Sequence, residues 1–530
     1  MRTAILIAMA AAVLVSRTAV ATTVTNLNDS GDGSLRAAVA ATLPGGVVDF
    51  APGLTGTITL ASPIDVNGLT ISGLGASVLR LSGGGATPLL TMTGATTLEG
   101  LTIADGLATD ELTGAVTYAL TSGPHVLRDC RVQDNHSTAL VAAVLAFSTL
   151  TVERCTFSGN VGASAGGILA GAVGTDSIEL TVRDSVFTDN ESAVSGGGIL
   201  LIAAESGTLS ATVIRSAFAD NRAQAGDAIG LSTGDTGAAH ATLANSTVLD
   251  TAAAITSSVA IAASSLGTAA TTVDVVNATF HVPGANRAAL GGTGAGTVMT
   301  VTNSIVSGGE FPACVSANGA ALVNGGHNIA TSTTCGLGPA ADPKLDPAGL
   351  ADHGGLTPTI ALLDDSPARD AGGAAACAAP PVDGVDQRGV ARPIGAQCDI
   401  GAFEAPTTTT TTTTLPPETC DAAVTVSATR CRLEAVRAAI ATEVPAGALQ
   451  QKLDRLVGAT LDRLDLFESL RAAGNLKPAR ASLRKGSAAL GRLRKAIKAK
   501  AAVKALTADQ RSQLTAMMKR LQQDLRLLKG

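Results

Sequence analysis

The chain has 530 residues, long enough for several domains. Its 59 Gly, 9 Phe, single Tyr and absence of Trp remove the flat aromatic platforms on which sugars stack, and its apolar fraction of 46 % rests on small and aliphatic side chains. Charge is divided: residues 420–530 carry 22 Lys and Arg against 9 Asp and Glu (net +13), whereas 1–419 carry 15 against 34 (net −19).

The first 21 residues read as an export signal. Arg2 is the positive region, AILIAMAAAVLV (4–15) the apolar region and Ala19-Val20-Ala21 the cleavage site. That run is too short to span a bilayer, and the later runs at 139–152 and 252–270 are broken by Ser, Thr and Gly, so no transmembrane helix is expected in the mature chain. Next, TVTNLNDSGDGSLRAAVAAT (23–42) predicts a strand and then a short helix, with Asp29 to Asp32 in the turn between them. A calcium loop there is disfavoured because it would have too few ligands.

From residue 130 a phrase recurs. Cys130, Cys155, Ser185, Ser216, Ser246, Ala278 and Ser304 fall 25 to 32 residues apart. Two places after each comes a larger apolar residue: Val132, Phe157, Phe187, Phe218, Val248, Phe280 and Val306. Short alternating stretches rich in Thr and Val, separated by Gly turns, predict a mainly β chain in which one repeat is one coil of a parallel β-solenoid spanning 22–341. Helical repeats of this length would show a period of 3.6 instead.

Two rows of residues follow from that register. Asn135, Asn160, Asn190 and Asn221 occupy the turn, where stacked amides can bond along the axis. The position before the small column reads Asp129, Arg154, Asp184, Arg215, Asn245, Asn277, Asn303, a row expected to set register rather than to catalyse. Cys130 and Cys155 are expected as two stacked buried thiols in preference to a strained bond.

The F-x-x-N turns at 157–160, 187–190 and 218–221, with GGI at 166–168 and 197–199, resemble the repeats of polymorphic outer membrane proteins. That resemblance implies the right-handed parallel β-helix, or pectin-lyase-like, class. The segment 23–42 resembles the N-terminal cap of bacterial secreted β-helix proteins. Residues 342–405, with DPKLDPAGLADHGGLTPTIALLDDSPARDAGG and DQRGVARPIGAQCDIGAFE, are similar to the choice-of-anchor Q segment that ends such helices. The latter resemblance implies an anchoring or sorting device and no activity.

Residues 406–419, built on PTTTTTTTTLPP (406–417), are an extended linker. Beyond them, Leu449, Leu453, Leu456, Leu464 and Phe467, then Leu483, Leu490 and Ile497, then Leu514, Leu521, Leu525 and Leu528 follow helical spacing. Residues 420–530 therefore predict a small basic helical bundle, with Gly474 and Pro478 between two helices and Thr507 with Gln510 starting the last. The cysteine positions suggest local pairs, Cys314/Cys335, Cys377/Cys398 and Cys420/Cys431. Zinc competes, but no C-x-x-C occurs and no histidines cluster beside them.

No catalytic, cofactor or metal residues are assigned. Asp364-Asp365 is the only Asp-Asp pair and lies off the coils, Asp189, Glu191 and Asp220 read as solvated turn residues, and His125, His136, His240, His281, His327 and His353 are scattered. The expected protein is an exported, non-catalytic β-helix, either secreted or held at the bacterial cell surface or outer membrane, an adhesion or binding scaffold whose surface partner is a protein or polysaccharide. Its basic tail either meets an anionic envelope polymer or lipid or is a solvated bundle whose lysines only keep it soluble, and no nucleic acid is expected. A polysaccharide lyase or hydrolase is the alternative.

Overall fold

Alternation of small apolar and polar residues produces three long ribbons of short parallel strands in a computed structural model. The structure describes residues 21–119, 123–251, 258–284, 286–309, 312–406, 425–443, 448–498 and 508–528. The predicted export signal and the Thr-rich linker lie outside the described residues, apart from Ala21 and Pro406. The chain forms two units, divided between Thr407 and Thr408.

The first unit is a parallel β-solenoid. One sheet has 12 strands, from Thr22–Val24 to Ala321–Gly326, a second 11, from Gly56–Thr59 to Ile329–Ala330, and a third 10, from Ile64–Asn67 to Cys314–Ala317. A fourth, short sheet has 4 strands, from Leu107–Ala108 to Glu191–Ser192. Each strand bonds to the equivalent strand of the next coil in parallel, so like residues stack on like. The column Val132, Phe157, Phe187, Phe218, Val248, Phe280, Val306 runs through the second sheet without a slip. All seven side chains are buried. The Phe157, Phe187 and Phe218 rings stack face to face with centroids 4.6 and 4.9 Å apart, the spacing the strands impose.

The buried amides add a second spine. Asn135 Nδ2 donates to Asn160 Oδ1 (2.9 Å), Asn160 to Asn190 (2.7 Å) and Asn190 to Asn221 (2.8 Å). Each acceptor oxygen also takes the backbone N–H of the coil before, and Nδ2 of Asn160, Asn190 and Asn221 reaches a carbonyl of the preceding coil, so these groups are satisfied without water.

At the N-terminal end, α1 (Leu35–Ala41) closes the core with Leu35, Ala38 and Val39, and Ser34 caps it by accepting from Ala37 N. Asp29 is engaged by Arg36, which also donates to Ser62 and Pro63 carbonyls of a neighbouring coil.

The second unit contains α3 (Val426–Glu443), α4 (Ala448–Ala472), α5 (Leu476–Lys498) and α6 (Ala508–Leu527), while α2 (Ala374–Ala378) belongs to the first. Leu433, Val436, Ile440, Leu453, Leu464, Phe467, Leu483, Leu490, Leu493, Ile497, Leu514 and Leu521 share one core. Gly474, at φ 75°, ends α4, and Pro478 sits inside the first turn of α5, where no N–H bond is lost. Thr507 lies outside the described residues.

Asn190→Ala should lower solenoid stability by about 2–4 kcal/mol, because it orphans two buried donors of Asn160. Urea unfolding followed by far-UV circular dichroism measures this. A loss below about 0.5 kcal/mol would show that the amide spine contributes little.

Candidate functional site

From Gly100 onward two residues join the first sheet to the second, and the first of them makes the bend. Gly100, Asp129, Arg154, Asp184, Arg215, Asn245, Asn277, Asn303 and His327 stand one above another there, with φ from 44° to 67°. Left-handed backbone costs an ordinary L-residue about 1–2 kcal/mol, which Gly avoids and Asn and Asp reduce. Arg154 and Arg215 are the outliers by residue type. Each is held bidentately by the Asp one coil earlier: Arg154 Nε and Nη2 to Asp129 at 2.7 and 2.8 Å, and Arg215 to Asp184 at the same distances. The Arg154 bonds hold the Asp129 carboxyl below its usual range.

One residue earlier runs a second alternating row that sequence reading missed. Glu99, Arg128, Glu153 and Arg183 are register partners. Arg128 pairs with Glu99, Arg183 Nε lies 2.9 Å from Glu153, and Arg154 Nη1 lies 3.7 Å from the same carboxylate. The signal was the same alternation shifted by one position.

The small inward column is a relay rather than mere filler. Ser185, Ser216 and Ser304 Oγ each accept an N–H of the preceding coil, from Cys155 N at 3.1 Å, Ser185 N at 3.3 Å and Ala278 N at 3.1 Å, and donate to the carbonyl two residues back in their own coil. Cys130 and Cys155 substitute for serine, Cys130 Sγ donating to Arg128 O and Cys155 Sγ to Glu153 O, each at 3.2 Å. Both are free and buried, and burial pushes the Cys155 thiol well up.

Residues 357–404 explain why the bend row changes from ions to amides. They lie along its later coils: Thr357 Oγ1 donates to Arg215 O, Asn245 Nδ2 to Val385 O, Thr247 Oγ1 to Gln387 Oε1, and Asn303 Oδ1 accepts from Gly373 N. Val382 packs beside Ile214, Ala244 and Val276, which occupy the positions that hold Glu and Arg on earlier coils. An ion pair under this cover would lose its water, whereas the amide nitrogens find partners there, Val385 O for Asn245 and Cys377 Sγ for Asn277 and Asn303.

The charged letters of that segment hold it together. Asp386 accepts from Arg388 and from the N–H of Val390 and Glu404, Arg392 donates to Asp399 and Gly401 carbonyls, and Glu404 accepts from Ile394 N and Asp399 N. Arg388 also lies 3.7 Å over the Phe403 ring. Cys377–Cys398 ties this segment, and Cys314–Cys335 ties the last coils. Cys431 lies on α3, but Cys420 lies outside the described residues.

An open groove of about 630 Å³ lies on the outer face of the first sheet, lined by Thr149, Ser177, Glu179, Ser210, His240 and Thr272 among others. His240 Nδ1 meets Thr272 Oγ1 at 2.8 Å and its Nε2 lies 3.8 Å from Asp274. Glu179 and Thr272 occupy one column three coils apart, through Ser210 and His240, so the Glu179 and Asp274 backbones are separated by about 14 Å or more. Carboxylates that cleave a glycosidic bond stand about 5–9.5 Å apart.

The remaining sites are dispersed. His125 is buried at 2.7 Å from Thr96 Oγ1, His281 meets Ser307 and burial lowers its pKa, His327 meets Ala371 O, and His353 meets Thr359. Asp365 pairs with Lys344, Asp364 with Arg369 and Glu191 with Arg222, while Asp220 accepts from Thr251. Among the described residues, no group of three or more His, Cys, Asp or Glu could hold a metal ion, and no helix is long and apolar enough to cross a membrane. Comparison with family models, curated proteins and solved structures finds no match to this chain.

Arg154→Ala should be mild, within about 1 kcal/mol, because the pair is half exposed. Arg154→Asp should cost more, since it stacks three acids. Equal melting temperatures would contradict the pairing.

A buried triad supplies a pH dependence. Arg287 bridges Asp227 (3.0 Å) and Asp250, Ser258 donates to Asp227 at 2.6 Å, and Ala223 N donates at 2.7 Å. Burial outweighs these bonds and raises the Asp227 pKa. A raised carboxyl contributes stability below its unfolded pKa and loses it as pH rises through the folded value. Lowering pH from 7 toward the unfolded carboxyl range should therefore raise the melting temperature more in wild type than in Asp227→Asn. The same change in both would remove Asp227 as the source.

Proposed function

We propose that this is an exported, non-catalytic surface scaffold whose solenoid binds a protein or polysaccharide and whose C-terminal helical unit serves attachment. The carrying observation is that the Asp, Glu and Arg residues most easily read as a catalytic set are engaged in structural pairs along the bend row and within residues 386–404. Two disulfides in the solenoid unit suit an oxidising compartment. The resemblances to polymorphic outer membrane proteins, to pectin-lyase-like helices and to the choice-of-anchor Q segment support the same reading. They also support placing the protein at the bacterial surface or in the medium.

The second reading is a polysaccharide lyase or hydrolase, favoured by the groove that carries Glu179 and His240. Incubating purified mature protein with polygalacturonate, and following both unsaturated product and reducing ends, separates the two. No product is expected. Turnover that Glu179→Gln or His240→Ala abolishes would overturn the scaffold reading.

A further inference from the structure

Charge in the helical unit is sorted by helix. Four acids of α4 and α6 are held by α3: Arg437 holds Asp454 at 2.7 Å, Arg430 holds Asp465 at 2.5 Å and Glu468 at 3.2 Å, and buried Arg432 holds Asp524 at 2.7 Å. Helix α5 has no acidic residue at all. Lys477, Arg484 and Lys495 lie along one line of its outer face, flanked by Arg480, Lys485 and Arg492, and all six are exposed. Lys477, Arg484, Lys485, Arg492 and Lys495 pair with no carboxylate among the described residues. The stripe extends about 27 Å at about 1.5 Å per residue.

We infer that this face of α5 is the docking surface for a linear acidic polysaccharide. Charge complementarity requires an anion with repeated charges along a chain, because the cations repeat along a helix instead of converging on a point. Two other polyanions fit less well. A lipid surface would take up an amphipathic helix through its apolar face, but Leu483, Leu490, Leu493 and Ile497 are already buried in the helical core. A single-stranded nucleic acid would call for aromatic rings to stack its bases, yet Phe467, on α4, is buried in that core and the chain has no Trp. A carboxylate or sulfate polymer needs neither.

The inference rests on the attachment role given to the helical unit, and its test reads binding instead of turnover. Full-length protein is titrated with polygalacturonate, phosphatidylglycerol vesicles and a thymidine oligonucleotide over a series of salt concentrations, with absorbance of unsaturated product recorded in the same cell. Polygalacturonate should bind most tightly, with an affinity that falls as salt rises. The triple variant Arg484→Gln, Lys485→Gln, Arg492→Gln should lose at least tenfold in affinity and show a shallower salt dependence. Arg484→Lys with Arg492→Lys should stay within about twofold, as should the charge-matched control Lys452→Gln, Arg455→Gln, Lys519→Gln. Gln keeps helix propensity, and circular dichroism checks the fold of each variant. Equal loss in the two triple variants, tighter binding to vesicles or oligonucleotide, or self-association through the acidic solenoid of a second copy would overturn the inference. Product formation would instead count against the scaffold reading alone.

Discussion

From Gly100 onward each coil turns from the first sheet into the second at a two-residue junction, and the first of the two sits in left-handed backbone. The bend is the constraint on which the rest of the solenoid depends. It selects Gly, Asp and Asn, and where Arg stands instead, at 154 and 215, a bidentate aspartate accompanies it one coil away. The following residue faces inward, where its hydroxyl or thiol satisfies a carbonyl beside the bend and, as serine, the N–H of the coil before. Two places on comes the apolar ladder, and three beyond that the buried amide. The recurring phrase therefore spells the hydrogen-bond requirements of one turn.

Because every coil meets the same requirement, side chains that carry chemistry elsewhere are drawn into structure here. Aspartate and arginine cross-link coils, and cysteine replaces serine in the relay. The densest charged motif, from Asp386 to Glu404, folds upon itself and onto the later coils. Residues 357–404 shield the bend row where it is made of amides and leave it more open where it is ionic. Desolvation explains that division: a covered ion pair loses its water, and a covered amide can replace water with backbone groups.

The helical unit follows different physics. Its apolar faces make one core, and four of its acids, Asp454, Asp465, Glu468 and Asp524, are held by the arginines of α3. What remains is a face of α5 with cations in a line and no apolar stripe to accompany them.

Much of the solenoid was legible because a parallel stack repeats its chemistry at fixed spacing: the inward column, the amide row and the alternating Asp/Arg row all recur every 25 to 32 residues. The helices were legible through their leucine period, and the pairs Cys314/Cys335 and Cys377/Cys398 through their short local loops. What sequence could not give was contact between segments without a shared repeat. That Thr247 would meet Gln387, or Val382 lie beside Ile214, depends on how residues 357–404 return along the coils, across about 140 residues of chain. The groove at Glu179 and His240 was equally hidden, because its lining residues become neighbours only when three coil steps bring them onto one sheet face. Sequence determines what repeats, since each coil must solve the same local problem, whereas tertiary structure alone decided which polar groups are covered, since burial depends on what folds over them.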